Sequence, residues 1–531
     1  MTALAEAPLA PSPVAPAGSG RRAMLALARF EAVRMLRHPV TLAAFLLYLG
    51  PWVWTLAKPG ADRFPVVHAD VVPLQMAAML VLGGAAMVVG NLAVLRERRH
   101  RTDAVSDLLV LPQAWRTGAF LLAVLAPAAL TLAVVVGQVA TLSLLPGSAG
   151  TVDPFDVAIP AGIVAVLGAA GVLLGRLLRS PVVAPLAAVV FAAVGFVAVA
   201  SVATGTTWGR LLPVLPDDLP LALPWALVDR PSGWHLAYLA GVAAVLATLA
   251  LLRSGARRGF AVPALAAALA VTVAAGAAQL GHDSGVRATR AAVNADPTPV
   301  QTCTTRDGVT YCAFDDFTPW VPAWDAVLRD VTKAVPPAAV PRLAVRQWVW
   351  AEGYPVRGGV FGPEDEQARE RAQRAADRAG GTPEAIPVGT EWGDPPSAAA
   401  FAGGVAYRLV TGRAVAGDAT LCGARGALVV WLAGQANART AAGVRQLDNQ
   451  SSGSLALIDH SIDNGLFVED RDAAVGLALL RRPAAEVAPV VADHWAELTA
   501  PGATIEQVGS LFGVEVGPAP DPAFANMSCE R

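Results

Sequence analysis

Arg96–Gly118 reads RERRHRTDAVSDLLVLPQAWRTG and lies between two long apolar runs, Val71–Leu95 and Ala119–Leu145. A bilayer core is crossed by roughly 20 consecutive apolar residues as helix, and each run supplies them. The stretch between them is unsuited to lipid. Arg96, Arg98, Arg99 and Arg101 would each cost on the order of 3 kcal/mol at the membrane centre. A basic loop between two spans marks the cytoplasmic side. Its middle predicts a short helix, capped by Thr102 or Asp103, with Val105, Leu108 and Leu109 on one face and Pro112 as its limit. Hung between two spans, such a helix is placed to take a push from a soluble partner. The same residues also read as a plain basic loop that only fixes topology, and spacing alone favours that reading.

Composition agrees with a membrane protein. The mean hydropathy over 531 residues is +0.49, and only 15% of residues are charged, too apolar for a soluble globule of this length. The charge is divided unevenly. Residues 1–281 hold 19 Lys and Arg against 12 Asp and Glu, whereas residues 282–531 hold 21 against 30. The first region is basic in a few loops; the second has the mixed charge of a domain in water.

Residues 1–20 are Ala, Pro and Ser without periodicity and read as a disordered cytoplasmic tail. They do not match a secretory signal, since no basic segment precedes an apolar core. Residues 21–38 follow as a basic amphipathic helix for the membrane interface, with Leu25, Ala28, Ala32, Met35 and Leu36 as its apolar stripe. Seven spans are expected, at Val40–Ala57, Val71–Leu95, Ala119–Leu145, Val157–Leu178, Val182–Thr204, Trp234–Leu252 and Gly259–Leu280. The last is rich in Ala and Gly and is the weakest. With a cytoplasmic N-terminus, the inner segments hold fifteen arginines and the outer loops four Lys or Arg, the bias expected of inside and outside. An odd number of spans then places residues 282–531 outside the cell membrane. Loop 205–233 is apolar but broken by Pro213, Pro216, Pro220 and Pro224. It suits short helices that enter the outer leaflet and return.

All four cysteines, Cys303, Cys312, Cys422 and Cys529, fall after the last span. An even set confined to one soluble region suits disulfides in an oxidising compartment. Cys303 and Cys312 flank a segment with the turn signal Asp307–Gly308, so a hairpin would pair them and leave Cys422 for Cys529. Four cysteines allow three connectivities. The fold expected for the region is mainly α, mixed α/β. Helices are expected at Pro319–Val335, Pro363–Ala379, Ala473–Leu480, Ala484–Leu498 and Thr504–Phe512, apolar core elements at Ala406–Val415 and Ala427–Gln435, and a strand at Leu343–Trp350.

Chemistry is sparse. The two lysines, Lys58 and Lys333, do not follow a glycine, which excludes a P-loop in this chain. His494-Trp-Ala-Glu497 is not a zinc-peptidase motif, and no nucleophile elbow is present. His460 beside Asp459 has the composition of a general-base pair, but a surface histidine next to an aspartate is the commoner meaning. No catalytic residue and no metal site is assigned. Asn91, Gln138 and Gln279 lie within spans, where bonding between helices is the usual role.

The order of these features resembles the permease subunits of ABC-2 type ABC transporters, in an actinobacterial-like sequence. The carriers are the basic helix ending RMLRHPV, the segment RERRHRTDAVSDLLVLP between the second and third spans, and the broken loop before the sixth. The resemblance covers about residues 21–255. It implies an interfacial elbow helix, a coupling helix and outer re-entrant helices. By the same resemblance Arg96, Glu97, Arg101, Thr102, Asp107, Leu108 and Leu109 would meet a separate ABC ATPase subunit. The cofactors, ATP and magnesium, would be bound by that ATPase and not by this chain. The partners implied are a second permease half, as homodimer or heterodimer, and membrane lipid, with no nucleic acid. The family's usual six spans are exceeded by one. CTTRDGVTYCAFDDFTPWVPAW also resembles outer domains fused to such permeases. Rival expectations are a membrane-anchored sensor or binding protein without transport, and a membrane-anchored ectoenzyme.

Overall fold

Each apolar run of the first half folds as a helix. The structure is a computed structural model that describes residues 19–57, 64–99, 111–178, 180–201, 207–216, 222–282, 285–349, 363–451, 453–459, 461–462 and 464–518. Helix α1 (Ser19–Leu36) leads into α2 (Pro39–Ala57). A continuous rod follows: α3 (Val71–Ala77), a π-helical turn Ala78–Gly83, and α4 (Gly84–Arg99). Then come α5 (Gln113–Ser143), α6 (Pro154–Leu177), α7 (Val183–Ser201), α8 (Ser232–Arg253) and α9 (Arg258–Leu280).

Among the described residues six helices are long and apolar enough to cross a membrane: Pro39–Ala57, Val71–Arg96, Gln113–Ser143, Pro154–Leu177, Ser232–Arg253 and Arg258–Leu280. Their length and apolar composition are those expected of a membrane protein. The segment expected as a span at 182–204 is the apolar helix α7, of which Val183–Val197 ranks as a shorter apolar helix. It runs beside the α3–α4 rod. A Cβ on Gly84 would touch Ala188 at 3.7 Å, and one on Gly195 would meet Met79 Cε at 2.3 Å. The weak last span is a full helix, α9, packed on α8 through Gly241, whose absent Cβ leaves room for Thr272. The backbones of α4 and α6 approach closely. A Cβ on Gly171 would lie 2.1 Å from the Met87 carbonyl oxygen, so glycine is what lets the two helices touch.

Two expectations around the basic stretch change. The basic stretch is shorter than the interval 96–118, because α4 continues to Arg99 and α5 already starts at Gln113. Pro112 causes the second shift. It precedes α5 in extended conformation (ψ 151°), and its carbonyl accepts the Arg116 N–H, which begins the helix there. The apolar stripe of α1 is also redrawn. Ala28 and Met35 are buried as expected, but Leu25 stays exposed and Glu31 is buried at 5% exposure.

The loop before α8 contains no α-helix among its described residues. It carries two short 3-10 turns, Thr207–Leu211 and Trp225–Leu227. Its prolines remove the N–H donors that an α-helix would use. Side chains of the spans satisfy its backbone instead. Gln75 Oε1 accepts from the Leu215 N–H at 3.1 Å, Tyr238 donates to the Leu211 carbonyl at 2.9 Å, and His235 Nε2 lies 3.1 Å from the Pro213 carbonyl.

Residues after α9 form an α/β region with two small sheets. The first is β1 (Gln301–Arg306), β2 (Val309–Phe314), β3 (Ala344–Gln347) and β4 (Ile386–Val388), in that spatial order. β1 and β2 are antiparallel, and the other two pairings are parallel. The second sheet has the order β5 (Asp418–Leu421), β7 (Asn464–Glu469), β6 (Ser454–Asp459). Both sheets pack on the buried helices Pro395–Thr411 and Ala424–Gln435, whose Tyr407 and Trp431 are at most 1% exposed. The charged helix stands at Pro363–Ala379 as expected. The helix expected at 319–335 is split into a 3-10 turn, Asp315–Trp320, and a helix Val321–Thr332. That expected at 484–498 breaks at His494, into Ala484–Asp493 and Trp495–Leu498.

The expected hairpin is present. Cys303 and Cys312 face each other across β1 and β2 and are joined by a disulfide. Asp307 (φ 46°) and Gly308 (φ 83°) at the turn are both left-handed, the conformation of a tight two-residue hairpin loop. Cys422 is also disulfide-bonded; Cys529, its expected partner, lies outside the described residues.

Candidate functional site

One end of the helical bundle gathers the roots of the basic stretch. Arg96, in the last turns of α4, donates from Nη1 to both carboxylate oxygens of Glu31 on α1, at 2.9 and 3.1 Å. Glu31 is the buried partner, and Arg96 is about a quarter exposed. On the other side of the stretch, Thr117 in the first turns of α5 donates to Ser254 at the end of α8, 2.7 Å away. Gly118 lies against Met24 of α1. Arg176, near the end of α6, holds its guanidinium 5.8 Å from the Phe120 ring centre on α5. Thus α1, α4, α5, α6 and α8 meet where the chain enters and leaves the stretch. His38 is beside this joint, and burial followed by the charges of Arg96 and Arg34 lowers its pKa.

Of the residues expected to couple, Arg96 is placed by its ion pair. Glu97 is within α4, with its side chain outside the described residues. Arg101, Thr102, Asp107, Leu108 and Leu109 lie outside the described residues as well. Sequence reading missed Glu31. A lone acid among five arginines on an interfacial helix was the available signal.

The opposite end of the bundle is tied just as closely to the α/β region. A parallel bridge of Val66 with Ala149 pairs two loops: the Val67 N–H donates to the Ala149 carbonyl at 3.0 Å, and the Ala149 N–H to the Pro65 carbonyl at 2.8 Å. Trp320 Nε1 donates to the Gly147 carbonyl at 2.7 Å, and Asp316 Oδ2 accepts from the Trp225 N–H at 2.6 Å. Arg290 Nε donates to the Leu227 carbonyl at 2.9 Å. Val66, Ala149, Leu223 and Leu227 from three loops at this end belong to the same apolar core as the α/β region. Arg230 and Asp156, 3.0 Å apart and each 2% exposed, lock the third loop to the start of α6.

Between the loops and the α/β region lies a cavity of about 1040 Å³. Thr55, Leu142 and Leu145, at the ends of α2 and α5, form its membrane-side edge. Phe64 projects into a wall of aromatic rings, edge-on to Trp320 at 6.4 Å and to Trp392 at 6.2 Å. Arg439 covers the Phe64 ring at 5.6 Å and also donates to the Gly393 carbonyl. Asp70, Glu391 and Asp394 add three carboxylates. Nothing in the sequence reading brought these residues together, since they are drawn from distant segments.

Catalytic and metal chemistry gain little from the geometry. Cys422, Glu469 and Asp472 bring ligand-type atoms within 4.8 Å of one another, but the Cys422 sulfur is in a disulfide and offers no thiolate. Asp459 accepts from Ser461 Oγ at 2.6 Å and from the Gly389 N–H at 2.8 Å, which braces a turn against β4; His460 lies outside the described residues. His494 pairs with Glu497 on the surface at 3.0 Å. Within the spans, Gln138 accepts from Tyr48 at 2.8 Å and Gln279 lies 3.0 Å from His235 Nδ1, as interhelical bonding requires. Asn91 is fully buried without a hydrogen-bond partner for either side-chain atom. No protein-family model, curated protein or solved structure matches the chain.

Proposed function

We propose that this chain is the membrane subunit of an ATP-driven ABC transporter of the ABC-2 type, an exporter that works with a separate ATPase. The observation that carries the reading is the inner joint. Arg96–Glu31 and Thr117–Ser254 tie both roots of the basic stretch to α1 and α8. A force on a helix seated in the stretch would therefore reach four helices at once, as ATP-driven rocking of the spans demands. Leu108 and Leu109 would enter a groove on the ATPase, with Glu97, Arg101, Thr102 and Asp107 as polar partners.

The topology that goes with it has seven crossings, α7 being the fifth, with the N-terminus in the cytoplasm and residues 282–531 outside. In its support, loops 64–70, 145–153 and 222–231 all meet the α/β region, so they share its side, while the arginine-rich segments share the other. A disulfide in that region favours an oxidising compartment. The outer cavity also suits a membrane-anchored binding protein that transports nothing. Purification of the tagged chain from its own membranes separates the two. The exporter reading expects an ATPase with a P-loop to co-purify, and reporter fusions after Leu280 to read outside; a chain isolated without any ATPase under mild detergent would favour the anchored binder.

A further inference from the structure

We propose that the outer cavity is a binding site for an amphipathic organic amine, whose ammonium group meets Asp70 and whose apolar body lies along Phe64, Trp320 and Trp392. Asp70 stands at the head of α3, and its carboxylate has no hydrogen-bond or ion-pair partner among the described residues. A carboxylate so placed lacks the counter-charge that burial calls for, and an ammonium would supply it. The balance around it is acidic. Among the described residues that line the cavity, the carboxylates are Asp70, Glu391 and Asp394 and the guanidinium is Arg439, which is held by the Gly393 carbonyl and the Phe64 ring. Asp394 is in turn occupied in capping the helix at Pro395, through the Ser397 N–H at 2.7 Å.

Thr390 and Trp392 line the cavity, and Thr390 Oγ1 and Trp392 Nε1, buried beneath that lining, have no hydrogen-bond partner among the described residues. Aromatic faces attract ammonium groups and bury apolar carbon. A volume of about 1040 Å³ is at the large end for a small-molecule pocket. Its edge at Thr55, Leu142 and Leu145 opens it toward the ends of two spans, where an amphiphile would arrive along the membrane. The site is read from side chains alone and does not depend on the permease reading.

The test titrates dansylcadaverine, a fluorescent amine, and its N-acetyl derivative into the full chain in phosphatidylcholine nanodiscs, with no ATPase present. The expected result is a saturable rise in dansyl fluorescence for the amine. Asp70→Asn should weaken the amine tenfold or more and leave the acetylated analogue unchanged, and Trp392→Ala should weaken both. Continued binding of the analogue shows that Asp70→Asn is folded. Burial pushes the Asp70 carboxyl up to about 6, so amine affinity of the native chain should fall roughly tenfold from pH 7.5 to pH 5. Glu391, Asp394 and Arg439 also line this space and persist in Asp70→Asn, where the fall should vanish. Competition by phosphatidylethanolamine in the nanodisc would assign the site to a lipid amine, and its absence to a free one; each upholds the site. Equal binding of amine and analogue, an unchanged amine affinity in Asp70→Asn, or a flat pH profile in the native chain would overturn it.

Discussion

Arg96 and Glu31 close a gap of 65 residues with one guanidinium nitrogen shared between two carboxylate oxygens, at 2.9 and 3.1 Å. The pair fastens the first helix to the root of the basic stretch. Glu31 is buried, so removing either partner leaves the other uncompensated. Glu31→Gln and Arg96→Gln should each lower stability by roughly 1–3 kcal/mol. The double variant should lose less than the sum, with a coupling of about 0.5–3 kcal/mol. Apparent melting temperatures of the four proteins in one detergent provide the check. Strictly additive losses would mean that the two residues act apart.

The disulfide between Cys303 and Cys312 closes a short hairpin. Its contribution should be modest for so small a loop, about 2–3 kcal/mol. Mass spectrometry of unreduced protein should find the two peptides linked, and Cys303→Ser with Cys312→Ser should lower the melting point of the outer region. Free thiols at both positions in protein from intact cells would be incompatible with an outer location.

Asp472 gives the α/β region a pH signature. Burial pushes its carboxyl up to about 7, with nearby Glu469 adding to the rise, although the Gly423 N–H donates to it at 2.5 Å and opposes the rise. A raised carboxyl favours the protonated fold. Its contribution is complete below the ordinary aspartate value and is lost as pH rises toward 7. Asp472→Asn should therefore stabilise the protein at pH 8, by about 2–4 kcal/mol at most, and change little at pH 4. The Asn oxygen still accepts from Gly423. Denaturation followed at both pH values decides it; an equal effect at pH 4 and pH 8 would refute the assignment.

Much of the membrane half was legible because lipid forces long apolar helices, and the composition declares them. The hairpin at Cys303 was legible because Asp307–Gly308 names its own turn. The two parallel pairings, β2 with β3 and β3 with β4, were not. Parallel strands pair through long crossovers, and local pattern carries no record of the partner. The cavity was illegible for the same reason: Asp70, Trp320, Trp392 and Arg439 meet only through the fold. Glu31 was hidden by its neighbours, since periodicity treats a charge as exposed unless its partner is known.

The central claim is that Arg96–Gly118 transmits force from an ATPase. Replacing Leu108 and Leu109 with Ala keeps every arginine and the helix propensity, so insertion and orientation should be unaffected. It removes a few kcal/mol of apolar contact at the subunit joint. The measurement is ATP hydrolysis by the co-purified complex in nanodiscs, compared between the native chain and the Leu108→Ala, Leu109→Ala variant. The account predicts a normally inserted variant that has lost its ATPase, or that holds it with hydrolysis no longer stimulated by the membrane subunit. Undiminished co-purification together with undiminished stimulation would contradict it, and the stretch would be a loop that only sets topology.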